Sequence, residues 1–504
     1  TNGSYMRPSW ANDEIWTRAL ATLKQNVGLT WDAYLARMRK NCDHFLKIGT
    51  PTRRLDRIWQ LEVDDALGVD YAIANLASVT DLSRPGRGFG LVFSRSYGSE
   101  MHQRLRMGVL GYGWSDNISM SCELEENGER FVVQGLNGSS IAFTKVTGRW
   151  MPEDAYDKTQ MDETGSEWIL TSQNDATIRF SKELQRPVSV RDSMGNGIDF
   201  KHDSNGRITE LSHTDGQWIR FDYVNGLLSV MTDDCGHKVR YSYDGEMLTE
   251  VKMPNGGRVK YSYIPQNDTM SSRALVQIVE QDGQTSDYAY DDFGRVVTMS
   301  RNATHFTSEI IRGKLGSYSI VAPNGGVTET IIGAHGEKVG IVNALGQKTQ
   351  FHYNGDDLLE SVVRPSGSRT KVCYDADGRA VKIIDAIGAE TELVYLEDTG
   401  NVKSVIDARN NAVAFGYDQF HRKDREVFSN AKQRTFAYSD KGDLIGVKNS
   451  RGDEISHRYD AQGRRVMTTW PNGRRFNWSY DAHGKCTNAS DSEKKCTDIT
   501  EATA

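Results

Sequence analysis

A tyrosine, usually followed by an acidic or small polar residue, returns along this chain at nearly constant spacing. From Tyr353 the positions run Tyr374, Tyr395, Tyr417, Tyr438, Tyr459 and Tyr480, with every interval 21 residues except the 22 between Tyr395 and Tyr417. Upstream, Tyr223, Tyr243 and Tyr263 are 20 apart, and Tyr290 precedes Tyr353 by three units of 21, with Ile311 and Ile332 at the two vacant positions. A period this strict marks a repeat architecture, in which each unit is one small structural element stacked on its neighbours. It also sets aside the usual length argument. A chain of 504 residues exceeds one ordinary core, whereas a repeat array extends its core along one axis.

Each unit reads as two short strands and two turns. Lys371-Val-Cys-Tyr-Asp375 leads into Ala376-Asp377-Gly378-Arg379; the strand Ala380-Val-Lys-Ile-Ile-Asp385 follows, and Ala386-Ile387-Gly388 returns the chain. The alternation puts Val381 and Ile383 on one face and Lys382 and Ile384 on the other. Glycine at the corner supplies a positive φ, and Asp or Asn before it can bond its own backbone. The structural corners are assigned to Tyr290, Asp291, Gly294, Tyr353, Tyr374, Asp375, Gly378, Tyr395, Tyr417, Asp418, Tyr438, Tyr459, Asp460, Gly463, Tyr480 and Asp481. The tyrosine is expected to lay its ring along the ribbon with its hydroxyl at the rim, and the aspartate to anchor the corner. Arg295, Arg379 and Arg464 follow the corner glycine and are expected to pair with a neighbouring corner's aspartate as a ladder.

Hairpin after hairpin, with no helix between, predicts a mainly β fold built as one antiparallel sheet. A flat sheet of this length would be edge-prone and unstable, so it is expected to twist in a fixed hand and coil into a spiral wall around an interior space.

The first residues differ. Asn12 or Asp13 can cap a helix carrying Ile15, Trp16, Leu20, Leu23 and Val27, stopped by Gly28. Thr30 opens a second, with Trp31, Tyr34, Leu35, Met38, Cys42, Phe45 and Leu46 on one side and Gly49 at its end. A third presents Leu55, Ile58 and Trp59. Helices of this length cannot bury their faces alone, so they are expected to pack on each other and on the sheet as a plug or cap, the alternative being a separate small bundle joined by the Gly68–Ser78 linker. The expected division is a helical segment over 1–78, a β-rich leading segment over 79–198, repeats over 199–485 and a polar tail over 486–504.

Composition excludes more than it assigns. A net charge of −7 with no long basic run gives no sign of nucleic-acid binding. No stretch approaches the roughly 20 apolar residues of a membrane span. The six cysteines, at 42, 122, 235, 373, 486 and 496, are too scattered for a metal cluster, although Cys486 and Cys496 are able to close a short loop in an oxidising compartment. Pro85-Gly86-Arg87-Gly88-Phe89-Gly90 has the look of a phosphate loop but precedes a strand-like run, so it reads as a turn. His335, His421 and His483 recur at corners and read as structural, and Asp377, Asp440 and Asp443 complete no calcium loop. No metal, cofactor or catalytic set is assigned.

The units Tyr290-Asp-Asp-Phe-Gly-Arg295, Tyr374-Asp-Ala-Asp-Gly-Arg379 and Tyr459-Asp-Ala-Gln-Gly-Arg464 resemble RHS/YD repeats, those of the rearrangement-hotspot and teneurin family. The segment from Asp81-Leu-Ser-Arg-Pro-Gly-Arg-Gly-Phe-Gly to Tyr97, with Gly108-Val-Leu-Gly-Tyr-Gly-Trp-Ser115, resembles the lead-in to such repeats in secreted members. The resemblance covers residues 78 to 485 and implies a hollow β-shell. In polymorphic toxins and the C component of insecticidal toxin complexes that shell encloses a toxic C-terminal domain; in teneurins a related shell serves adhesion. No Asp-Pro-x-Gly motif follows the last repeat, so the family's autoproteolytic aspartates have no counterpart in these residues.

The chain, which starts Thr1-Asn2-Gly3, is thus expected to be a fragment of a large secreted protein, forming a structural shell or scaffold that encloses or presents a toxin or other cargo. Its expected partners are the rest of the parent polypeptide or the cargo domain. The alternatives are an extracellular carbohydrate-binding or adhesion module meeting cell-surface glycan, and a lyase or hydrolase of polysaccharide on the same frame, since a Tyr or His base beside a cation suits that chemistry.

Overall fold

The computed structural model describes residues 13–498, apart from 53, 70, 126–127, 137–138, 268, 303–305, 314 and 482–483. Three helices open it: α1 (Asp13–Val27), α2 (Trp31–Ile48) and α3 (Leu55–Ala66). Thr30 caps α2 by accepting from the Ala33 N–H at 3.1 Å, and Gly49 ends it in the left-handed region with φ 86°. The buried side of α2 is narrower than its apolar residues suggest. Met38, Asn41 and Phe45 are covered, while Trp31 and Leu46 stand 70% and 64% exposed.

Small sheets follow: Asn75–Arg84 with Leu91–Gly98 and Trp114–Asp116, and a four-stranded sheet from Ser121 to Pro152. Then one antiparallel sheet of 33 strands takes every described strand after Pro152 in sequence order, from Gln160–Glu163 to Lys494–Asp498. It starts well before residue 199, because hairpins such as Thr177–Ser181 with Pro187–Arg191 alternate in the same way without a tyrosine corner. The residues expected as a polar tail add two strands, Cys486–Asp491 and Lys494–Asp498.

Period-2 burial shows why these segments are strands. In Lys238–Asp244, Val239 and Tyr241 are buried while Lys238, Arg240 and Ser242 face water. In each tyrosine hairpin the register shifts just before the tyrosine, as between Cys373 and Tyr374 or Arg458 and Tyr459. A bulge repeated at that place adds twist, and summed over the array it coils the sheet.

The coil closes on itself. Lys158 Nζ meets Asp377 at 3.0 Å, His421 Nε2 meets Asp175 at 2.9 Å, and Asn196 Nδ2 donates to the Lys441 carbonyl at 3.0 Å. Residues 219 to 246 positions apart in sequence thus lie on adjacent laps. The fold is a spiralling antiparallel β-shell with an α-helical start.

The core sits inside the first lap. Phe93 packs on Phe221, and Trp114 packs edge-on against Tyr261 with its indole N–H donating to the Tyr263 hydroxyl at 2.9 Å. At the centre Arg95 and Asp81 pair at 2.7 Å, both fully buried. The Tyr241 hydroxyl also donates to Asp81, and the guanidinium lies over the Trp114 and Tyr261 rings.

Candidate functional site: corners and the seam between laps

The corner is a small hydrogen-bonded knot. Asp375 Oδ1 accepts the backbone N–H of Asp377 and Arg379, and its Oδ2 accepts the Arg379 Nε at 2.8 Å. Asp291, Asp418 and Asp460 repeat this with Arg295, Arg422 and Arg464. Burial pushes the carboxyls of Asp375 and Asp418 up, but these donors outweigh it and hold both below the ordinary carboxylate value.

The arginines therefore pair with the aspartate of their own corner, not with a neighbour's as the spacing suggested. The guanidinium face also reaches the neighbour: Arg379 lies 4.9 Å over Tyr395, Arg422 4.4 Å over Tyr438 and Arg464 4.9 Å over Tyr480, where Arg464 Nη1 donates to the Asp481 carbonyl at 3.2 Å as well. Each of those tyrosines then donates its hydroxyl fifteen residues back, Tyr395 to Ala380, Tyr438 to Lys423 and Tyr480 to Arg465. The hydroxyl is a bonded strut to the preceding hairpin, not a rim group left to solvent. Tyr290 to Leu275, Tyr353 to Lys338, Tyr374 to Leu359, Tyr417 to Val402 and Tyr459 to Leu444 complete the series. At the vacant corners other atoms make the link. Arg312 Nη2 donates to the Val296 carbonyl, and the Ile332 N–H donates to Ser317 Oγ.

These corners form one rim of the sheet, and other elements cover several of them. In the first lap the cover comes from the N-terminal elements. The Tyr112 N–H donates to Glu246 O, Asp65 pairs with Arg295 at 2.6 Å, and Met38, Phe45, Ile58 and Leu61 bury Ala334. In the second lap the cover is the opposite rim of the first lap. Tyr156 lies under Gly378, Gln173 under Gly400 and Met194 under Gly442, each close enough to touch a side chain placed on the glycine.

His421 occupies the glycine position of its corner, with φ 61°, and reaches across to Asp175. His335 pairs with Asp357 at 2.5 Å, and His483 lies outside the described residues. Cys486 is a free thiol; the Cys496 side chain lies outside the described residues. Asp233, Asp234 and Cys235 lie close together, with Asp234 already forked onto Arg84 at 2.9 and 3.1 Å. No helix among the described residues is long and apolar enough to cross a membrane.

The segment 81–97 carries functional geometry that its sequence did not disclose. The Pro85–Gly90 loop sits between laps. The Asp215 N–H donates to His213 Nδ1, so His213 carries its proton on Nε2 and gives it to the Arg87 carbonyl at 2.9 Å. A side chain at Gly86 would strike the His213 ring, and one at Gly88 the Asp192 carboxylate. The clustered glycines were visible in the sequence, but their partners more than 100 residues away were not.

Residues 74–143 match a domain family of unknown function, DUF6531, and residues 438–475 match the RHS repeat family. No curated protein matches the chain. Among solved structures, TcdB2–TccC3 without its hypervariable C-terminal region is similar over 92% of this chain and 30% of that one, with 11% identity and a TM-score of 0.50. The Tc holotoxin pore of Photorhabdus luminescens is similar over 94% of this chain and 31% of that one, with 11% identity and a TM-score of 0.41. This chain thus spans about three-tenths of the length of these solved structures, and at such identity the likeness to the first is one of fold. Fold, corner chemistry and seam together define a coiled β-repeat shell. The chain carries an RHS repeat, at residues 438–475, within that coil.

Proposed function

We propose that this chain is a wall segment of a secreted toxin or cell-surface protein, a structural shell that encloses or presents a toxin or other cargo. The observation that carries this reading is the seam, since a sheet whose second lap seats corner by corner on its first is a wall and not a ribbon. Two features agree with it. Along the second lap Phe351, Phe415, Phe436 and Trp478, on the tyrosine-bearing face, are only half-buried, leaving an apolar lining that other residues can touch. On the opposite rim, Leu345 and Ile387 stand 81% and 90% exposed at the corner position that Met194 holds in the seam, which suits seating of the remaining parent polypeptide.

The test is limited proteolysis of the parent polypeptide with and without mild denaturant. A domain held inside the wall is cut only after the wall loosens. Cleavage of that domain at the rate of the isolated domain, in buffer, overturns the enclosure reading.

A glycan-binding reading rests on one feature. Trp470 is 44% exposed at a hairpin tip and lines a depression with Pro471, Asn472, Arg474 and Phe476, the mix of flat ring and polar groups that stacks on sugars. Loss of glycan-array binding on Trp470→Ala would favour it; absence of binding by the unaltered chain would remove it.

A further inference from the structure

Repetition creates a difficulty for a coil like this one. Corners on the first-lap rim and on the facing second-lap rim recur every 20 to 22 residues, so sliding one lap past the other by one hairpin brings equivalent corners together. Register is weakly specified wherever successive units look alike. Some contacts across the seam are single polar pairs near the surface, such as Lys158 with Asp377, which hold little energy. An element that occurs once and touches both laps would break the degeneracy.

The Pro85–Gly90 loop is such an element. It is the tip of the hairpin formed by Asn75–Arg84 and Leu91–Gly98, where Arg84 pairs with Leu91. From it Arg87 enters the seam, its side chain 7% exposed. On the first lap its Nη1 donates to Asp215 at 2.7 Å, and its backbone N–H donates to the same carboxylate at 3.2 Å. On the second lap its Nε lies 2.9 and 3.0 Å from the two oxygens of Asp443. Its Nη1 and Nη2 donate to the carbonyls of Ala461 and Asp460 at 3.0 and 3.1 Å. Asp215 is 2% exposed and Asp443 11%, so the fork sits among buried partners from two laps. Each of the two second-lap corners is read by a different edge of one rigid guanidinium, which a lysine could not reproduce. Gly463 completes the fit, since a Cβ there would lie 2.9 Å from Arg87 Cγ.

We infer that this loop, within a segment matched only as a domain of unknown function, is the register pin of the coil: Arg87 fixes which second-lap corner lies over which first-lap corner. Arg87 is a positioning residue, and the inference holds whether or not the wall encloses a cargo.

The protein carries its own reporters for the test. Lys158 and Asp377 touch across the seam some distance along the rim from the pin, and both are partly exposed, so a zero-length carbodiimide couples them. Asp398 stands 21 residues after Asp377, at the same corner position, and reports a slip of one hairpin. Lys382 and Glu390, 2.7 Å apart within one lap, are the control. Cross-linked peptides are counted by mass spectrometry. In Arg87→Ala the Lys158–Asp377 link is expected to fall about fivefold or more against the Lys382–Glu390 link, with links from Lys158 to Asp398 appearing. Arg87→Lys is expected to fall between the two. Should Arg87→Ala fail to fold, the isosteric Asp443→Asn, which weakens only the second-lap side, supplies the same comparison. A folded variant that melts lower yet keeps the Lys158–Asp377 ratio of the unaltered chain overturns the inference, because Arg87 would then stabilise without setting register.

Discussion

The Tyr374 hydroxyl donates to the Leu359 carbonyl at 2.7 Å, so one side chain ties the end of a hairpin to the strand that opens after the preceding corner. Arg379, from the same corner, lies over Tyr395 at the next. Each such tyrosine thus holds the preceding unit through its hydroxyl, and at Arg379, Arg422 and Arg464 a guanidinium face also holds the following one. Stability in such an array is a sum of neighbour terms.

Tyr374→Phe removes the strut and keeps the ring. A neutral hydrogen bond of this kind contributes about 1 kcal/mol. Tyr353 makes the same bond to Lys338 at a more exposed place, so Tyr353→Phe is expected to cost less. Urea midpoints of the two variants check this. No midpoint shift in Tyr374→Phe would show that the hydroxyl does no work.

Glycines separate the cost of a corner from the cost of the seam. Gly378 and Gly388 both have positive φ, 73° and 82°, but a Cβ at Gly378 meets the Tyr156 ring at 2.6 Å while one at Gly388 meets nothing. Gly388→Ala is expected to cost about 1 kcal/mol of backbone strain. Gly378→Ala and Gly463→Ala add displacement of Tyr156 or Arg87 and should cost clearly more, while Lys382→Ala should cost least. Melting temperatures that rank Gly388 and Gly378 equally would mean the laps part without penalty.

The buried pair at the centre makes a sharper test. Asp81 and Arg95 are both fully buried, and Tyr241 shares the same carboxylate oxygen. Asp81→Asn strands a guanidinium among aromatic rings, and Arg95→Met strands a carboxylate. Removing one partner of such a pair costs about 3–5 kcal/mol. The double variant Asp81→Leu with Arg95→Met is expected to recover much of that in denaturant unfolding. Additive losses would argue against a shared role.

Titration should show the corners at both ends of the pH scale. Folding depresses the carboxyls of Asp375 and Asp418, so their contribution is present above about pH 4 and fades as pH falls through and below the ordinary carboxylate range. Burial raises the tyrosine hydroxyls, Tyr374 among the corners and Tyr261 in the core, the latter up to about 12. That contribution is intact below about pH 10 and is lost as pH rises beyond it. A melting-temperature profile is expected to be flat near neutrality and to fall on each side. A profile that keeps rising past pH 10 would contradict the buried hydroxyls.

What could be read from the sequence was whatever repeats or is local. The spacing of Tyr353 through Tyr480 and the strand alternation around Val381 and Ile383 disclose an antiparallel coiled sheet, because hairpin signals act over a few residues. Partners chosen across the seam leave no such trace. His421 looks like one more corner residue until Asp175, 246 positions earlier, faces it. Arg87 sits in a run of glycines whose use depends on His213, Asp192 and Gly463. The missing tyrosines at Ile311 and Ile332 become intelligible only in space. The loops after them place Leu315 and Ala334 against the helices, where an apolar surface serves better than an Asp–Arg knot. Trp31 and Leu46 fell on the apolar side of α2 by spacing, yet the cover stops short of them.

That contact between helices and vacant corners gives the last prediction. Trp16, Ala19, Leu23, Val63, Ala66 and Leu67 form one cluster with Met101 and Leu105, and Met38, Phe45, Ile58 and Leu61 form another with Ala334. Polar ties run beside them, Asp65 to Arg295 at 2.6 Å and Arg18 to the Thr269 carbonyl at 2.6 Å. For the corners near 269, 291, 315 and 334 the helices therefore stand where the first-lap rim stands for later corners. Deleting residues 1–68 would bare the apolar groups at 101, 105, 315 and 334 and leave Arg295 without its outer partner. The truncated chain is expected to bind a hydrophobic dye, to melt lower and to self-associate, as exposed apolar patches do. Arg295→Gln in the full chain should weaken docking more mildly and leave dye binding low. If the truncated chain stays monomeric, with an unchanged melting temperature and no added dye binding, the helices are an appendage and the corners need no cover there.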